Sequence, residues 1–380
     1  MQRYLRLLAS GCQPGRLSIR EISSQSQSWN IQGSLKEGVS QAASMFERAV
    51  APGSAWTPDK MPDLSGKNYL VTGANSGIGF QAATQLAKSN AAVTIASRNE
   101  ASGQRAVNEI LKMAPGSQVR FSHVDLESFK SIHQFADQFL DQNIKLDCII
   151  NNAGVFMPEH KKTPEGFEVT LGTNYFGPML LTHLLMDRLR ESAPSRIVWV
   201  VSSLEVVGDI SWEDLRGEQA STSDMKAYGT SKLMTIMSNS EIVRRLKGSG
   251  VDSFICQPGM SSTPVYKKTD KSHVMANVLD AAQTVMGQTE ERGAVPLLYA
   301  ATAPEMAGKP LTMSCCASPC KSGTYIGPYY IGPFISNLFN TGSQQPLNKW
   351  TNDSAACTRM YDETVRIIHE STAGSKTSAL

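Results

Sequence analysis

Apolar segments of strand length alternate with segments of helical periodicity from Asn68 to Cys256. Strands joined through helices form parallel βαβ units. Strands with long apolar runs, such as Ile197–Val201 within the predicted strand Arg196–Val201, are expected where helices cover both faces of a parallel sheet. The sequence therefore predicts an α/β fold with one doubly wound parallel sheet. The predicted elements, strand and helix in turn, are Asn68–Thr72, Gly79–Ser89, Ala92–Ala96, Ala101–Met113, Val119–His123, Phe129–Gln142, Leu146–Ile150, Gly166–Arg190, Arg196–Val201, Tyr228–Leu246 and Asp252–Cys256.

The predicted organisation has three parts: an N-terminal extension over residues 1–60, a main domain over 61–340, and a C-terminal helix and tail over 341–380. Residues 1–20 contain four arginines and no acid, a composition that suits an organelle transit peptide for a mitochondrion or plastid. An untargeted leader on a cytoplasmic protein is the alternative. Apolar residues then recur at helical spacing and predict an amphipathic helix, namely Leu35, Val39, Ala42, Phe46 and Val50. Residues 51–65, rich in proline and glycine, are interpreted as a linker.

Composition narrows the classes of partner. The formal net charge is only +2, and no basic run is long enough for a nucleic-acid groove, so we expect small-molecule partners and no nucleic acid. No apolar run approaches the ~18 residues that span a bilayer, which predicts a soluble or peripheral protein. The seven cysteines fit a reducing compartment better than a disulfide framework. Cys315, Cys316 and Cys320 cluster without a second ligand group nearby, so no metal site is predicted.

A glycine-rich turn follows the first predicted strand. Its sequence is Thr72-Gly73-Ala74-Asn75-Ser76-Gly77-Ile78-Gly79. Glycines at a strand-to-helix turn allow the backbone to approach a dinucleotide pyrophosphate at the helix N-terminus. Because this turn opens a βαβ unit, it indicates a dinucleotide site.

The spacing TGxxxGxG resembles that of the short-chain dehydrogenases, a family with a Rossmann-type fold, and the resemblance covers roughly residues 65–265. Asp125-Leu126 is similar to the family's adenine-contacting element, and Asn151-Asn152-Ala153-Gly154 to its element after the fourth strand. Pro258, Gly259 and Thr263 resemble the family's contacts to the nicotinamide carboxamide. The resemblance implies a nicotinamide cofactor held by these residues.

The end of the second strand bears on which nicotinamide cofactor is used. Enzymes that prefer NAD place an acid there to accept from the ribose 2′-hydroxyl. Here the strand ends on Ser97, followed by Arg98. A guanidinium can bind a 2′-phosphate through charge-assisted hydrogen bonds, so we predict NADP(H). A solvated arginine that leaves the preference undetermined is the alternative interpretation.

Tyr228 and Lys232 are four residues apart in a segment of helical character, so their side chains lie on one face, one turn apart. A phenol has a pKa of about 10 in water, and a nearby ammonium favours the phenolate. The pair can therefore exchange a proton with an alcohol. The family resemblance implies that Tyr228 is the acid/base and that Lys232 also binds the nicotinamide ribose.

Two further residues complete the predicted catalytic set. Ser202 and Ser203 end the fifth strand at the sheet edge where ligands bind. Ser203 matches the family's catalytic serine, and by alternation Ser202 is expected to point away, into packing or backbone hydrogen bonds. Asn174 matches the helix asparagine that supports the lysine in this family.

Within the family the likeness is to retinol dehydrogenase-like and protochlorophyllide reductase-like members, which implies an apolar substrate. Ile210, Trp212 and Leu215 lie between Ser203 and Tyr228 and either line a substrate pocket or pack on their own domain. The aromatic segment 323–334 caps the cavity, forms an oligomer contact or seals the sheet edge. The predicted function is NADP(H)-dependent interconversion of an alcohol and a carbonyl. A double-bond reductase, a catalytically silent dinucleotide-binding scaffold, an adaptor acting through the N-terminal helix, a peripheral membrane contact and a homo-oligomer stay open.

Overall fold

The strands predicted from the apolar runs form one sheet in the computed structural model, which describes residues 56–156, 158–218, 224–258, 289–308, 325–328, 341–344 and 348–373. The strands are β1 (Asn68–Thr72), β2 (Ala92–Ser97), β3 (Val119–His123), β4 (Cys148–Asn151), β5 (Ser195–Val200), β6 (Val251–Cys256), β7 (Tyr325–Pro328) and β8 (Thr341–Gln344). The helices are α1 (Gly77–Lys88), α2 (Glu100–Met113), α3 (Phe129–Asp141), α4 (Val169–Leu171, a π-helical stretch Gly172–Phe176, and Gly177–Leu184), α5 (Met186–Glu191), α6 (Asp224–Arg245), α7 (Glu290–Thr302) and α8 (Ser354–Ala373).

The sheet has the order β3-β2-β1-β4-β5-β6-β7-β8. Strands β1 to β7 run parallel, and β8 pairs antiparallel with β7. The predicted doubly wound parallel sheet is therefore confirmed. Chain order reverses between β1 and β4, and in open α/β sheets the crevice at such a reversal, beyond the carboxyl ends of the strands, is where ligands bind.

Side chains alternate between two apolar cores, one on each face of the sheet. In β1, Leu70 packs with α3, α4, α6 and α8, whereas Val71 packs with α1, α2 and α7. In β4, Ile149 belongs to the first core and Ile150 to the second. Successive strand residues point to opposite faces, so a strand covered on both sides must be apolar at every position. No helix among the described residues is long and apolar enough to cross a membrane.

The structure corrects the interpretation of residues 51–65 and decides between two interpretations of the loop between Ser203 and Tyr228. The predicted linker is wrong from Trp56 onward, because Trp56 and Leu64 are buried in the second core and the Trp56 ring packs edge-on against Tyr299 at 5.5 Å. Between Ser203 and Tyr228, Ile210 and Leu215 are buried in the first core, which supports packing rather than pocket lining. The predicted transit peptide, the helix over 35–50 and the cysteine cluster lie outside the described residues, as does most of segment 323–334.

Candidate active site

The glycine turn lies directly against the loop that follows β4. Gly73 has a φ of +68°, and a Cβ on it would lie 2.8 Å from the Cα of Ala153. A Cβ on Gly79 would overlap the amide nitrogen of Asn152. Only glycine fits these two positions without displacing backbone. The turn and the Asn152–Gly154 loop are therefore one packed unit.

Thr72 joins β1 to the same loop. Its Oγ1 accepts hydrogen bonds from the backbone amides of Asn152 and Ala153, both at 3.0 Å, and the Asn152 side chain donates to the Thr72 carbonyl at 2.9 Å. These contacts fix the loop at the carboxyl edge of the sheet, where β1 and β4 end side by side. The threonine before the glycines is thus a positioning residue.

The N-terminus of α1 has the features of an anion site. Ser76 precedes the helix, yet its side chain makes no capping hydrogen bond, so the first helical amides are not occupied by that side chain. Unpaired amides and the helix dipole together favour a phosphate group. Asn75 donates to Ser102 at 3.1 Å, which anchors the turn to α2.

One cavity of about 410 Å³ runs along this edge. It brings together sixteen of the residues predicted from the sequence: Gly73, Asn75, Ser76, Gly77, Ile78, Gly79, Ser97, Arg98, Asp125, Leu126, Asn152, Ala153, Gly154, Tyr228, Lys232 and Pro258. Ser203 and Asn174 do not line it, and Gly259 and Thr263 lie outside the described residues. The glycine turn and the Tyr228–Lys232 pair are therefore parts of one cavity.

The adenine end of the cavity carries opposite charges. Arg98 makes an ion pair with Glu127, and Lys161 donates to the same carboxylate at 2.6 Å. Asp125 lies 3.8 Å from Arg98. Partial burial acts to raise the pKa of Glu127, but the hydrogen bond from Lys161 and the charge of Arg98 outweigh it, so the pKa is lowered. Glu127 is ionised at neutral pH and holds Arg98 beside the cavity.

The hydroxyl of Ser97 is a second feature of the adenine end of the cavity. Its side chain is buried, and its Oγ finds no hydrogen-bond partner among the described residues. Buried hydroxyls without partners are uncommon in folded proteins. A ribose or phosphate oxygen entering beside Arg98 would supply the missing partner, so the residues present fit an adenosine ribose.

Tyr228 and Lys232 occupy the opposite end, on α6. Lys232 is 5% exposed, and its ammonium donates to the Val200 carbonyl at 2.9 Å. It lies 5.5 Å from the centre of the Tyr228 ring. Burial lowers the pKa of Lys232 to about 8. The edge of Phe156 packs on Tyr228, with the ring centres 4.8 Å apart. These contacts orient the phenol and keep a cation within one helical turn of it.

Asn174 lies in the π-helical stretch of α4, which widens the helix where the asparagine faces the loop after β4. Its Oδ1 accepts from the Val155 amide at 2.7 Å, and its Nδ2 donates to the Val155 carbonyl at 2.9 Å. A second donation, to Ser231 Oγ at 3.3 Å, links it to α6. Asn174 therefore joins the loop after β4 to α6, the helix that carries Lys232.

The two serines after β5 have different settings. The Ser202 side chain accepts a hydrogen bond from the Leu204 amide at 3.3 Å, which confirms the expected backbone hydrogen bond. Ser202 also belongs to the lining of the cavity. Ser203 begins a 3₁₀ turn, Ser203–Val207, because the strand ends before it and alternation no longer applies.

Sequence reasoning missed three residues at this site: Glu127, Phe156 and Lys161. Glu127 and Phe156 line the cavity, and Lys161 pairs with Glu127. Glu127 directly follows Asp125-Leu126 at the carboxyl edge of β3, which is a signal that the sequence contained. Lys161 and Phe156 come from the long loop between β4 and α4, whose path no periodicity predicts.

The chain was compared with known families and proteins. The family model for short chain dehydrogenases matches residues 67–273, more than half of the chain. Mouse retinol dehydrogenase 12 is 43% identical over 52% of this chain and 62% of its own length. Mouse retinol dehydrogenase 11 is 40% identical over 63% of this chain and 74% of its own length. Human retinol dehydrogenase 13 is 36% identical over 64% and 74%.

Solved structures show the same fold. An uncharacterized protein from Mycobacterium paratuberculosis is 27% identical and superposes with a TM-score of 0.61, covering 83% of this chain and 98% of that one. A short chain dehydrogenase/reductase family protein, 23% identical, superposes with a TM-score of 0.51 over 65% of this chain and 94% of that one, and shows the fold alone. On the match over residues 67–273, this chain belongs to the short-chain dehydrogenase family and is retinol dehydrogenase-like.

Proposed function

We propose that the protein is an NADP(H)-dependent oxidoreductase that interconverts an alcohol and a carbonyl on an apolar substrate. The observation that carries the proposal is the shared cavity: the glycine turn lies at one end and the Tyr228–Lys232 pair at the other. The glycine turn would hold the pyrophosphate of a dinucleotide, and the Tyr228–Lys232 pair would then hold its nicotinamide end. Membership of the short-chain dehydrogenase family supports this direction of binding.

When bound, the cofactor supplies or accepts a hydride at the carbon that bears the oxygen. Tyr228 donates a proton to the carbonyl oxygen in reduction and removes it from the alcohol in oxidation. The Lys232 ammonium stabilises negative charge on the phenol oxygen, because it lies 5.5 Å from the ring in a buried position. The family resemblance gives Ser203, which adjoins the cavity-lining Ser202, the role of holding the substrate oxygen beside the phenol by a hydrogen bond.

Arg98 supports the preference for NADP(H). It is tied to Glu127, and Glu127 has a second cationic partner in Lys161. A 2′-phosphate can therefore bind Arg98 in place of Glu127, because the Glu127 carboxylate keeps Lys161 as its partner. A ribose 2′-hydroxyl has no charge to compete for the guanidinium. The expected order of affinity is NADPH before NADH.

The retinol dehydrogenases among the relatives support an apolar substrate. Val155, Phe156 and Pro158 line the cavity and provide apolar surface, and the Phe156 ring packs on Tyr228. Long-chain or retinoid aldehydes are therefore the first carbonyls to test. The leader over residues 1–20 supports delivery to an organelle, which a fluorescent fusion with and without those residues would test.

The test uses the purified full-length chain with NADPH and a panel of retinoid, steroid, aliphatic and quinone carbonyls. Tyr228→Phe is expected to lower the rate by about 100-fold or more, since one acid/base group contributes on that scale. Tyr361→Phe, which removes a hydroxyl outside the cavity lining, is the matched control. Equal turnover by wild type and Tyr228→Phe would reject the mechanism. NADPH binding without turnover on any carbonyl would favour the silent scaffold, and turnover on an activated ring double bond alone would favour the double-bond reductase.

The cofactor preference has its own test, by direct binding. Arg98→Ala is expected to weaken NADPH binding by about 10-fold or more and to leave NADH nearly unchanged, since a charge-assisted contact of 1.5–3 kcal/mol is lost. Arg105→Ala, an exposed arginine on α2, removes the same charge elsewhere. An unchanged ratio of the two dissociation constants in Arg98→Ala would reject the preference argument.

A further inference from the structure

We infer that Asn348 is a positioning residue of the active site, which acts from the C-terminal part of the chain by holding the turn that carries Ser203. This inference rests on the proposed function, since it assigns a partner to the catalytic serine. The segment concerned, Asn348–Asn352, is called the C-terminal anchor below, and Ser203–Gly208 is called the serine turn. The anchor lies beyond residues 67–273, which the family model matches.

One side of the serine turn packs backbone against backbone on α6. A Cβ on Gly208 would lie 2.6 Å from the carbonyl carbon and oxygen of Gly229, and a Cβ on Gly229 would lie 2.5 Å from the Leu204 carbonyl. Gly229 directly follows Tyr228. The distance between the serine turn and the tyrosine is therefore set by a contact that only glycine permits at both positions.

A second contact continues this side. Thr230 exchanges hydrogen bonds with the backbone of Asp209, accepting from its amide and donating to its carbonyl, both at 3.1 Å. The serine turn is thus fixed to the first turns of α6 at its glycine end. Within the turn, the Glu205 carbonyl accepts a hydrogen bond from the Gly208 amide at 3.0 Å, whereas none of these contacts involves the Gly208 carbonyl.

Asn348 donates to the carbonyls at both ends of the Glu205–Gly208 bond, adding a second donor to Glu205 and supplying one to Gly208. Its amide nitrogen donates to the Glu205 carbonyl at 3.1 Å and to the Gly208 carbonyl at 2.8 Å. Its Oδ1 accepts from the Trp350 amide at 3.1 Å. Asn348 is 7% exposed, so water cannot readily replace these bonds, and a buried carbonyl that loses its donor costs free energy. Both amide protons and the amide oxygen are used.

The anchor is itself well fixed. Trp350 donates from Nε1 to Asp209 at 3.0 Å and packs edge-on against Trp212, with the ring centres 5.9 Å apart. Helix α8 follows the anchor and is tied to the rest of the fold through Thr364, which bonds the buried Tyr175 hydroxyl at 2.6 Å. The donors of Asn348 are therefore supplied from a rigid element. We conclude that the serine turn is held between α6 and the anchor.

The test compares an isosteric variant and a truncated variant of Asn348 with a matched control. Asn348→Asp keeps the acceptor for Trp350 but replaces the amide donor by an oxygen that faces two carbonyl oxygens. Asn348→Ala removes both functions. Asn352→Ala, at the exposed asparagine that ends the C-terminal anchor, is the control. For each, kcat and KM with NADPH and the best carbonyl, the NADPH dissociation constant, and amide hydrogen exchange at 203–209 are measured.

We expect kcat to fall about 10-fold or more in both Asn348 variants, since misplacement of a catalytic group by a fraction of an ångström has effects on this scale. The NADPH dissociation constant is expected to be unchanged, and exchange at 203–209 to accelerate while exchange in β1 and α1 stays as in the wild type. A role in general stability alone would instead lower the melting temperature and leave the kcat of the folded fraction unchanged. That result, or equal exchange at 203–209, would overturn the inference.

Failure of the proposed function gives a different pattern. In that case the wild type itself turns over no carbonyl, and the exchange measurement alone decides whether Asn348 holds the serine turn. Unchanged exchange then rejects the inference, and accelerated exchange confined to 203–209 supports it.

Discussion

The two ends of the cavity are held in place in different ways. At the cofactor end, residues 68–156, the contacts lie within that range, as where Gly73 meets Ala153 and Thr72 Oγ1 accepts from the Ala153 amide. At the substrate end, residues 195–258, the glycine contact between the serine turn and α6 is supplemented by side chains that come from residue 348 onward. The comparison teaches that a nucleotide site can be built from local motifs, whereas the geometry around the substrate needs a distant part of the chain.

The largest expected effect is on the cofactor end. Gly73 and Gly66 both have a positive φ, but a Cβ on Gly66 meets nothing within 4 Å, whereas one on Gly73 meets Ala153 at 2.8 Å. Both alanine variants bear a backbone cost of about 1 kcal/mol. Gly73→Ala adds an overpacking cost of about 1–3 kcal/mol and displaces the loop that binds the cofactor.

Gly73→Ala is therefore expected to weaken NADPH binding by about 100-fold or more, while Gly66→Ala binds as the wild type does. Calorimetric titration and urea unfolding of the two variants measure both quantities. Equal affinity in the two variants would show that the cofactor end tolerates movement and would remove the contrast between the two ends.

The next prediction concerns Lys232 and the way the free energy of unfolding depends on pH. Burial lowers its pKa to about 8 from the ordinary 10.5. Between these two values the unfolded chain binds more protons than the folded one, so the free energy of unfolding rises as pH increases through this window. The destabilisation is fully present below about pH 8 and is relieved above about pH 10.5. The size of the rise is on the order of 3 kcal/mol.

Lys232→Met is expected to remove this rise, while Lys112→Met, at an exposed lysine on α2, keeps it. Urea unfolding of the apoprotein from pH 7 to 10.5 measures the slope. A slope in Lys232→Met that equals that of the wild type would mean that the ammonium is solvated in the folded protein, and its proposed charge interaction with Tyr228 would then be weak.

The third prediction concerns Glu241, which joins α6 to α8. Its side chain is 2% exposed, accepts from Arg244 and Arg245, and accepts from Thr358 of α8 at 3.0 Å. The hydrogen bond from Arg244 is the main cause that lowers its pKa to about 2, against the opposing effect of burial. A lowered carboxyl pKa contributes stability that is present above about pH 4.5 and is lost as pH falls through about 2.

Glu241→Gln is expected to lower the free energy of unfolding by about 2 kcal/mol at pH 7, since charged hydrogen bonds are lost. The difference from the wild type should shrink on acidification below about pH 4.5. Glu363→Gln, which breaks a surface pair with Arg366 on α8, is expected to cost about 0.5 kcal/mol or less. Chemical unfolding at several pH values measures both, and equal losses would show that α8 is not anchored through Glu241.

The features that the sequence predicted are mostly those built from local motifs. The parallel sheet and the residues of the glycine turn were predicted because strand periodicity and a local motif report them directly. The bounds of β1 and β3 were predicted to the residue. Helix α6 begins at Asp224, four residues before the predicted Tyr228, because its first turn has no apolar periodicity to mark it.

The rest depends on contacts between residues far apart in sequence. Lys161 lies 34 residues beyond its partner Glu127, after α3 and β4, and the bond from Asn348 to Glu205 spans 143 residues. No local pattern encodes which carbonyl an asparagine will meet after the chain has folded. The place of Ser202 in the cavity lining was not predicted for a related reason, since alternation applies only while the strand continues, and the 3₁₀ turn begins at Ser203.

The smallest expected effect separates the two contacts of the C-terminal anchor. The hydrogen bond from Trp350 is the main cause that lowers the pKa of Asp209. Trp350→Phe removes this donor and keeps an aromatic ring against Trp212, so we expect a loss of about 0.5–1 kcal/mol. This contribution is present above the ordinary carboxyl pKa and is lost as pH falls through the lowered one. The Asp209 pKa, followed by NMR, should rise in Trp350→Phe and stay low in Trp212→Phe. Because the Asn348 bonds remain, kcat should change less than in Asn348→Asp; an equal loss would mean that Asp209, rather than the carbonyls of the serine turn, is the point through which the anchor acts.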